Sequence, residues 1–419
     1  MLSIRLSALL LVTASVALPC RAQVSTSDAA AMRSYYEAGL RRNGIVGSSL
    51  ALVRDGRVVL RDNYGLQSKS PDVPVDDDTT YHWASCTKTF TGIAIMQLRD
   101  RGLLSLDDPP IKYIPELAAV HDTFGPISQI TIRHAMSHSG GFRAATWPWH
   151  DDDKAWQPFE PAQWSQIAAM LPYTEIAFAP GSRFSYSNLG VVFLGEIIER
   201  LSGDPYAVYM EKNVLRPLGM SRSYFDRSPY FLLRYRSHSW DLKGGKLSED
   251  PFDFNTGITR SNGGLNAPVG DMLKYLGFLL GRQSDLAREA EYGAILKRAS
   301  LEEMWKPLLP VLPDDDFQSR NGAHDEVAAS FFVHTDGALT LIGHAGWQNG
   351  FRSHFYIDPA TRSAYIVAYN TDAQDDRFKD KILSRAQNTR SFDLELRDYL
   401  IDRFFEKRSR MDGAVSPQR

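Results

Sequence analysis

The run Tyr81-His82-Trp83-Ala84-Ser85-Cys86-Thr87-Lys88-Thr89-Phe90 sets a serine and a lysine three residues apart at the head of an apolar, helix-like pattern that continues to Arg101. A serine hydroxyl is a weak nucleophile at neutral pH and needs a proton acceptor within hydrogen-bond reach. If Ser85 opens a helix, Lys88 falls about one turn on and on the same face. The amino end of such a helix also offers N–H groups and partial positive charge where an oxyanion would form. The same residues read equally as an N-cap serine followed by an exposed lysine, so the rest of the chain has to choose. Apolar residues on most of the circumference, Ile93, Met96 and Leu98 among them, predict a central, buried helix that stops at Gly102. Burial would lower the pKa of Lys88 toward the range of a base.

Upstream, Ala29 to Asn43 has helical spacing at Met32, Tyr35, Tyr36 and Leu40. Ser49–Val53 and Arg57–Asn63 read as strands joined at Asp55-Gly56, a pair suited to a tight hairpin turn. The acidic run Asp76-Asp77-Asp78 is a solvated loop with no third ligand type nearby to suggest a metal. Residues 1–22 read as a secretory leader: Arg5 supplies early charge, Leu9 to Leu18 is mostly apolar, and Cys20-Arg21-Ala22 suits cleavage before Gln23. The apolar run is too short to span a bilayer, so no membrane span is expected after cleavage, and the location is periplasmic or secreted. A lipidated Cys20 is the other reading, but Pro19 sits where such signals want a small residue.

The chain has 419 residues, a net charge of −3 and two cysteines. Its basic residues are not clustered, which argues against nucleic acid and for a small-molecule partner. After cleavage Cys86 is the only cysteine, so no intramolecular disulfide can form. On a helix Cys86 points about 100° away from Ser85 and reads as a packing residue.

Downstream, Leu104 to about Asp250 reads as helical segments and long loops. Thr131–Ser137 starts a short helix in which His134 and His138 stand four apart. No glutamate of the zinc-protease pattern lies between them, and structural histidines are preferred over a metal pair. Trp147, Trp149, Trp156, Phe159 and Trp164 punctuate the loop Phe142 to Trp164, where they either cover core or wall a cleft. Tyr186 and Asn188, two apart in an extended loop before the helical Leu189–Ser202, point to one side. Ser187 or Asn188 also suits a helix cap there. Asn262-Gly263-Gly264 reads as a glycine-rich turn into a helix Met272–Leu280, without the lysine of a phosphate loop. Ala328–His334, Ala338–Gly343, Gly350–Asp358 and Ser363–Asn370 read as four strands, and Leu394–Phe405 as a terminal helix.

Ser85-x-x-Lys88 is the only S-x-x-K and Tyr186-x-Asn188 the only Y-x-N of the chain. The third element, His344-Ala345-Gly346, shares its pattern with His138-Ser139-Gly140 and Lys243-Gly244-Gly245. It is chosen because it ends an apolar strand, follows the other two and lies in Gly343-His344-Ala345-Gly346-Trp347-Gln348-Asn349-Gly350-Phe351. In this order the sequence resembles the serine β-lactamase-like hydrolases, closest to the class C β-lactamases and the esterases and D-amino-acid peptidases of the same fold. Leu104-Ser105-Leu106-Asp107-Asp108-Pro109, Thr131 through Gly140, and Pro217-Leu218-Gly219-Met220 carry the likeness over roughly residues 30 to 405.

The resemblance implies an α/β (α+β) fold of the β-lactamase/transpeptidase type. A central antiparallel sheet, from about 23–84 and 260–419, would be flanked by helices, with a mainly helical lobe, about 85–259, inserted. It implies Ser85 as acyl-enzyme nucleophile, Lys88 as base or relay and Tyr186 as partner in proton transfer, phenolate-like beside Lys88. Asn188 would orient substrate beside His344 and Gly346, and the N–H groups of Ser85 and Trp347 would form the oxyanion hole. It implies a small ester, amide or peptide substrate, no cofactor and no metal, and leaves the oligomeric state open. Where class C β-lactamases carry a lysine, this chain has His344, mostly neutral at pH 7. The missing fixed charge shifts the expectation from efficient β-lactamase toward esterase or peptidase. The alternative is a penicillin-recognising cell-wall sensor that acylates with little turnover.

Overall fold

The computed structural model describes residues 25–69, 71–147, 160–251, 253, 255–281, 285–312, 322–374 and 388–405. The expected leader and Trp149, Trp156 and Phe159 lie outside these residues. Among the described residues no helix is long and apolar enough to cross a membrane.

The helix Thr26–Arg42 opens with the Ser25 hydroxyl accepting the Asp28 N–H. It leads into strands β1 (Gly47–Arg54) and β2 (Arg57–Lys69). Asp55 and Gly56 both take positive φ, 52° and 71°, as a two-residue hairpin with right-handed strand twist demands. β3 (Asp72–Pro74) and β4 (Thr80–His82) follow, then the helix Thr87–Asp100, entered through a 3-10 turn Ala84–Cys86. Gly102, at φ 75°, closes it.

The stretch expected to be helical contains more sheet than its pattern suggests. β5 (Tyr224–Phe225) and the hairpin β6 (Ser239–Lys243) and β7 (Lys246–Asp250) lie within it. Lys243-Gly244-Gly245 is therefore a hairpin turn, both glycines at positive φ. The glycine-rich Asn262-Gly263-Gly264 likewise does not enter a helix directly. A short helix Arg260–Gly263 precedes strand β8 (Leu265–Pro268), and the helix Val269–Leu280 comes after it. β8 is too short and too near proline for period-two patterning to reveal it.

Then come β9 (Leu309–Pro310), β10 (His324–Val327), β11 (Phe332–Asp336), β12 (Leu339–Gln348), β13 (Phe351–Asp358), β14 (Ser363–Tyr369) and β15 (Thr371–Gln374). The main sheet has nine strands in the order β3-β2-β1-β14-β13-β12-β11-β10-β9, so both ends of the chain meet at its centre, where β1 pairs antiparallel with β14. β12 runs five residues past Gly343, where its apolar pattern ends. β13 supports it to Gln348, whereas β11 pairs with it only as far as Gly343.

The two faces of the sheet are sorted by period two. Ala51, Val53, Phe355, Ile357, Ala364, Ile366 and Ala368 face the large core built around Phe90, Ile93, Ile95 and Leu98. Leu50, Leu52, Tyr356, Tyr365, Val367 and Tyr369 face Met32, Tyr36, Phe392, Leu396 and Leu400 of the two terminal helices. The terminal helix is Thr389–Leu400, extended by a wider turn to Phe405, and starts five residues before its expected beginning. Trp147 and Trp164 pack on the large core, and Trp164 donates its indole N–H to Glu116 Oε1 at 3.1 Å. Those two aromatics of the long loop thus cover core. Asp77 and Asp78 of the acidic run pair with Arg61 and Arg222.

Candidate active site

Ser85 stands on a turn clamped from both sides. Trp83 donates its backbone N–H to Leu265 O and its indole N–H to Ala267 O, both at 2.8 Å, which ties the turn to β8. From the other side Ser353 of β13 donates to Trp83 O at 3.0 Å. Between these anchors Ala84 takes φ 46°, a left-handed conformation that an alanine holds only when its surroundings over-determine it. This turn presents Ser85 at the mouth of the buried helix while Cys86 faces inward, fully buried. Burial pushes the Cys86 thiol up to about 12, so it is inert packing at neutral pH.

Lys88 is 1% exposed. Its Nζ lies 3.0 Å from Ser85 Oγ and donates to the Asn262 carbonyl at 2.8 Å. A carbonyl can only accept, so one N–H is committed to Asn262. In the neutral amine the lone pair is left for the serine proton. Desolvation holds the Lys88 pKa well below its usual range, which favours that neutral amine. The Asn262 carbonyl was invisible to motif reading, because a backbone acceptor brought in by a distant segment leaves no side-chain signature.

Tyr186 lies over Lys88, Nζ 4.9 Å from its ring centroid. Asn188 departs from the expected extended geometry. Ser187 is the N-cap, its hydroxyl accepting the Gly190 N–H at 3.0 Å, and Asn188 is the first residue of the helix Asn188–Ser202. It joins the site through its carbonyl, which accepts from the Asn262 side-chain amide at 3.4 Å. Gly346 is where β12 meets the serine turn. A Cβ there would lie 2.2 Å from Trp83 O and 3.1 Å from Ser85 N, so only a glycine lets the strand approach this closely. The fold therefore gathers Ser85 from the 3-10 turn, Lys88 from the helix it enters, Tyr186 from the loop before Ser187, Asn188 from the helix after it and Gly346 from β12.

A protein-family model described as Beta-lactamase matches residues 32–389. The chain belongs to this family. Protein flp of Staphylococcus aureus (strain COL) is 23% identical over 338 residues, 81% of this chain and 62% of that protein, so the chain spans less than two thirds of that relative. Esterase EstB of Burkholderia gladioli is 28% identical over 205 residues, 47% of this chain and 51% of the esterase. The D-amino acid amidase of Ochrobactrum anthropi SV3, solved with L-phenylalanine amide, shares the fold with a TM-score of 0.68 at 20% identity, covering 91% of this chain and 99% of that one.

Within this beta-lactamase family fold His344 is 2% exposed, its ring edge-on to Phe332 at 5.1 Å and 6.5 Å from the Tyr186 ring. Nδ1 lies 2.6 Å from Ala345 O, an acceptor, so Nδ1 carries the proton and Nε2 is left without a hydrogen-bond partner among the described residues. Burial, aided by the nearby Lys88, pushes its pKa down to about 3. At neutral pH this site therefore holds an uncharged imidazole.

The sign of the consequence follows from linkage. Between about 3 and 6.5 the unfolded chain binds a proton at position 344 that the folded chain refuses, so stability falls as pH drops through that window and levels off below it. His344→Gln should flatten the decline in urea midpoint between pH 7 and pH 4 by one histidine's share. An unchanged slope would mean that His344 is protonated in the fold.

Trp347 is 54% exposed, its indole N–H bonded to Asp372 at 2.8 Å and the Arg352 guanidinium 5.3 Å from its ring. Asp372 and Arg352 escaped sequence reading: Arg352 faces Trp347 across the β12–β13 pair, whereas Asp372 comes from β15, which pairs with β6 outside the main sheet.

Proposed function

We propose that this chain is an exported serine hydrolase that cleaves an ester or amide bond of a small substrate through an acyl-enzyme on Ser85. The observation that carries the reading is the buried Lys88 amine 3.0 Å from Ser85 Oγ. Lys88 takes the hydroxyl proton as Oγ bonds to the substrate carbonyl carbon, and the carbonyl π pair moves onto oxygen. The Ser85 and Trp347 N–H groups stabilise that oxyanion, each donor worth about 3 kcal/mol of barrier. Collapse breaks the bond to the leaving alcohol or amine, which takes the proton. Water then attacks the acyl-enzyme by the same route in reverse.

Two further points support ester or uncharged amide substrates over penicillins. The imidazole of His344 carries no charge with which to hold a carboxylate. The likeness to Esterase EstB and to a D-amino acid amidase points to the same bonds. Export rests on the leader-like residues 1–22. The test is a turnover panel of short-chain aryl esters, D-alanyl amides and a chromogenic cephalosporin, beside Ser85→Ala. Ester or amide turnover should vanish in the variant, together with fluorophosphonate labelling. Retained turnover in Ser85→Ala would sink the acyl-enzyme. Stoichiometric labelling by a penicillin without turnover of any substrate would favour a sensor instead.

A further inference from the structure

His134 and His138, four apart in the sequence, part company in the fold. His134 closes the start of its own short helix, its Nδ1 accepting the Thr131 N–H at 3.3 Å. His138 lies beyond the end of that helix with φ 53°, 2% exposed. There a single residue grips the segment that carries Tyr186 at three points. Its carbonyl accepts the Ser185 N–H at 2.8 Å. Its Nδ1 accepts the Ser187 N–H at 3.1 Å. Its ring stacks on the Tyr186 ring between them, centroids 4.3 Å apart and planes 26° from parallel.

The backbone on either side of Tyr186 is thus held by the same residue that covers its face. Simple core filling does not need this arrangement. An apolar side chain would fill the volume, but it would leave the buried Ser187 N–H without an acceptor, at a cost of about 1–3 kcal/mol. The positive φ turns the carbonyl and the imidazole of His138 toward the same tripeptide, and histidine is among the few residues that adopt that region with any frequency. On the far side the grip continues, because the Ser187 hydroxyl donates to Arg143 O at 2.7 Å while capping the next helix.

We propose that His138 is the positioning residue of Tyr186: it holds the phenol over Lys88 and itself touches no substrate. The inference rests on the Ser85, Lys88 and Tyr186 reading above, and the experiment keeps the two apart. His138→Asn sets an amide oxygen near the place of Nδ1, tolerates the positive φ and loses the stack. His138→Phe keeps the stack and loses the acceptor. Each is made in wild-type and Tyr186→Phe backgrounds, and kcat on a p-nitrophenyl ester is normalised to the fraction of Ser85 that a fluorophosphonate titrates, so that misfolded protein does not count.

In the wild-type background kcat should fall about 10- to 100-fold with KM changed less than about threefold, and the pH profile of kcat should shift. In Tyr186→Phe the same substitutions should change kcat less than about twofold, because His138 acts only through the lost hydroxyl. Equal losses in both backgrounds, or wild-type kcat in both His138 variants, would overturn the inference alone. Full activity of Tyr186→Phe would sink the reading of Tyr186 and this inference with it.

Discussion

Lys88→Met should lower kcat by about 10³- to 10⁴-fold, the upper range for removing a general base, without unfolding the protein. Methionine keeps the unbranched stem and the burial and deletes only the amine that stands 3.0 Å from Ser85 Oγ. Stability should hold or rise at neutral pH. A buried lysine whose pKa is held well below 10.5 is protonated in the unfolded chain and resists protonation in the folded one. Wild-type stability therefore increases as pH climbs through the interval between the depressed value and 10.5, because there the unfolded chain still holds a proton that folding must release. Lys88→Met should lack that increase. Unfolding midpoints at pH 7 and pH 9 on both proteins, together with active-site-normalised kcat, check both halves. A variant that keeps more than about a tenth of kcat would remove Lys88 from the role of base.

Gly346→Val should be nearly as damaging, through geometry alone. The added Cβ would stand 2.2 Å from Trp83 O, 2.6 Å from Ser353 Oγ and 3.1 Å from Ser85 N. Two of these three are backbone atoms of the strained serine turn, which cannot swing aside as a side chain tip can. β12 has to retreat, and the Trp347 N–H retreats with it. Overpacking should cost about 1–3 kcal/mol of stability. Loss of one oxyanion donor should cost about 10²- to 10³-fold in kcat. Gly293→Ala, where a Cβ meets nothing within 4 Å in the helix Leu286–Ile295, is the control and should be neutral or slightly stabilising. Near-wild-type kcat in Gly346→Val would show that β12 does not need its close approach to Ser85.

Much of the frame was legible because it depends on local pattern. The Asp55-Gly56 hairpin, the buried helix after Ser85 and its stop at Gly102 follow from periodicity and turn chemistry, whereas the first four residues of the expected strand Ala328–His334 form the turn between β10 and β11, closed by the Ala328 N–H to Phe331 O at 2.8 Å. What escaped has a common cause. β8 is four residues long and recognisable only by its pairing with β4 and β5. The last five residues of β12 are held by β13 and carry no strand pattern of their own. Asn188 reads as part of an extended loop until the Ser187 cap turns it into the first residue of a helix.

For the site, the chain alone specified the chemistry-bearing side chains: Ser85 and Lys88 at one helical turn, Tyr186, His344 and the glycine at 346. Spacing of three on a helical turn allows a hydroxyl and an amine to meet, but the clamped turn at Trp83 and Ala84 and the burial of Lys88 separate that pair from an N-cap with an exposed lysine. Which proton each group carries was decided only by the fold. Burial strips water from Lys88 and His344 and drives both toward their uncharged forms, and the Asn262 carbonyl orients the amine from 174 residues away. Such effects come from desolvation and from backbone atoms, and neither leaves a mark in the order of the amino acids.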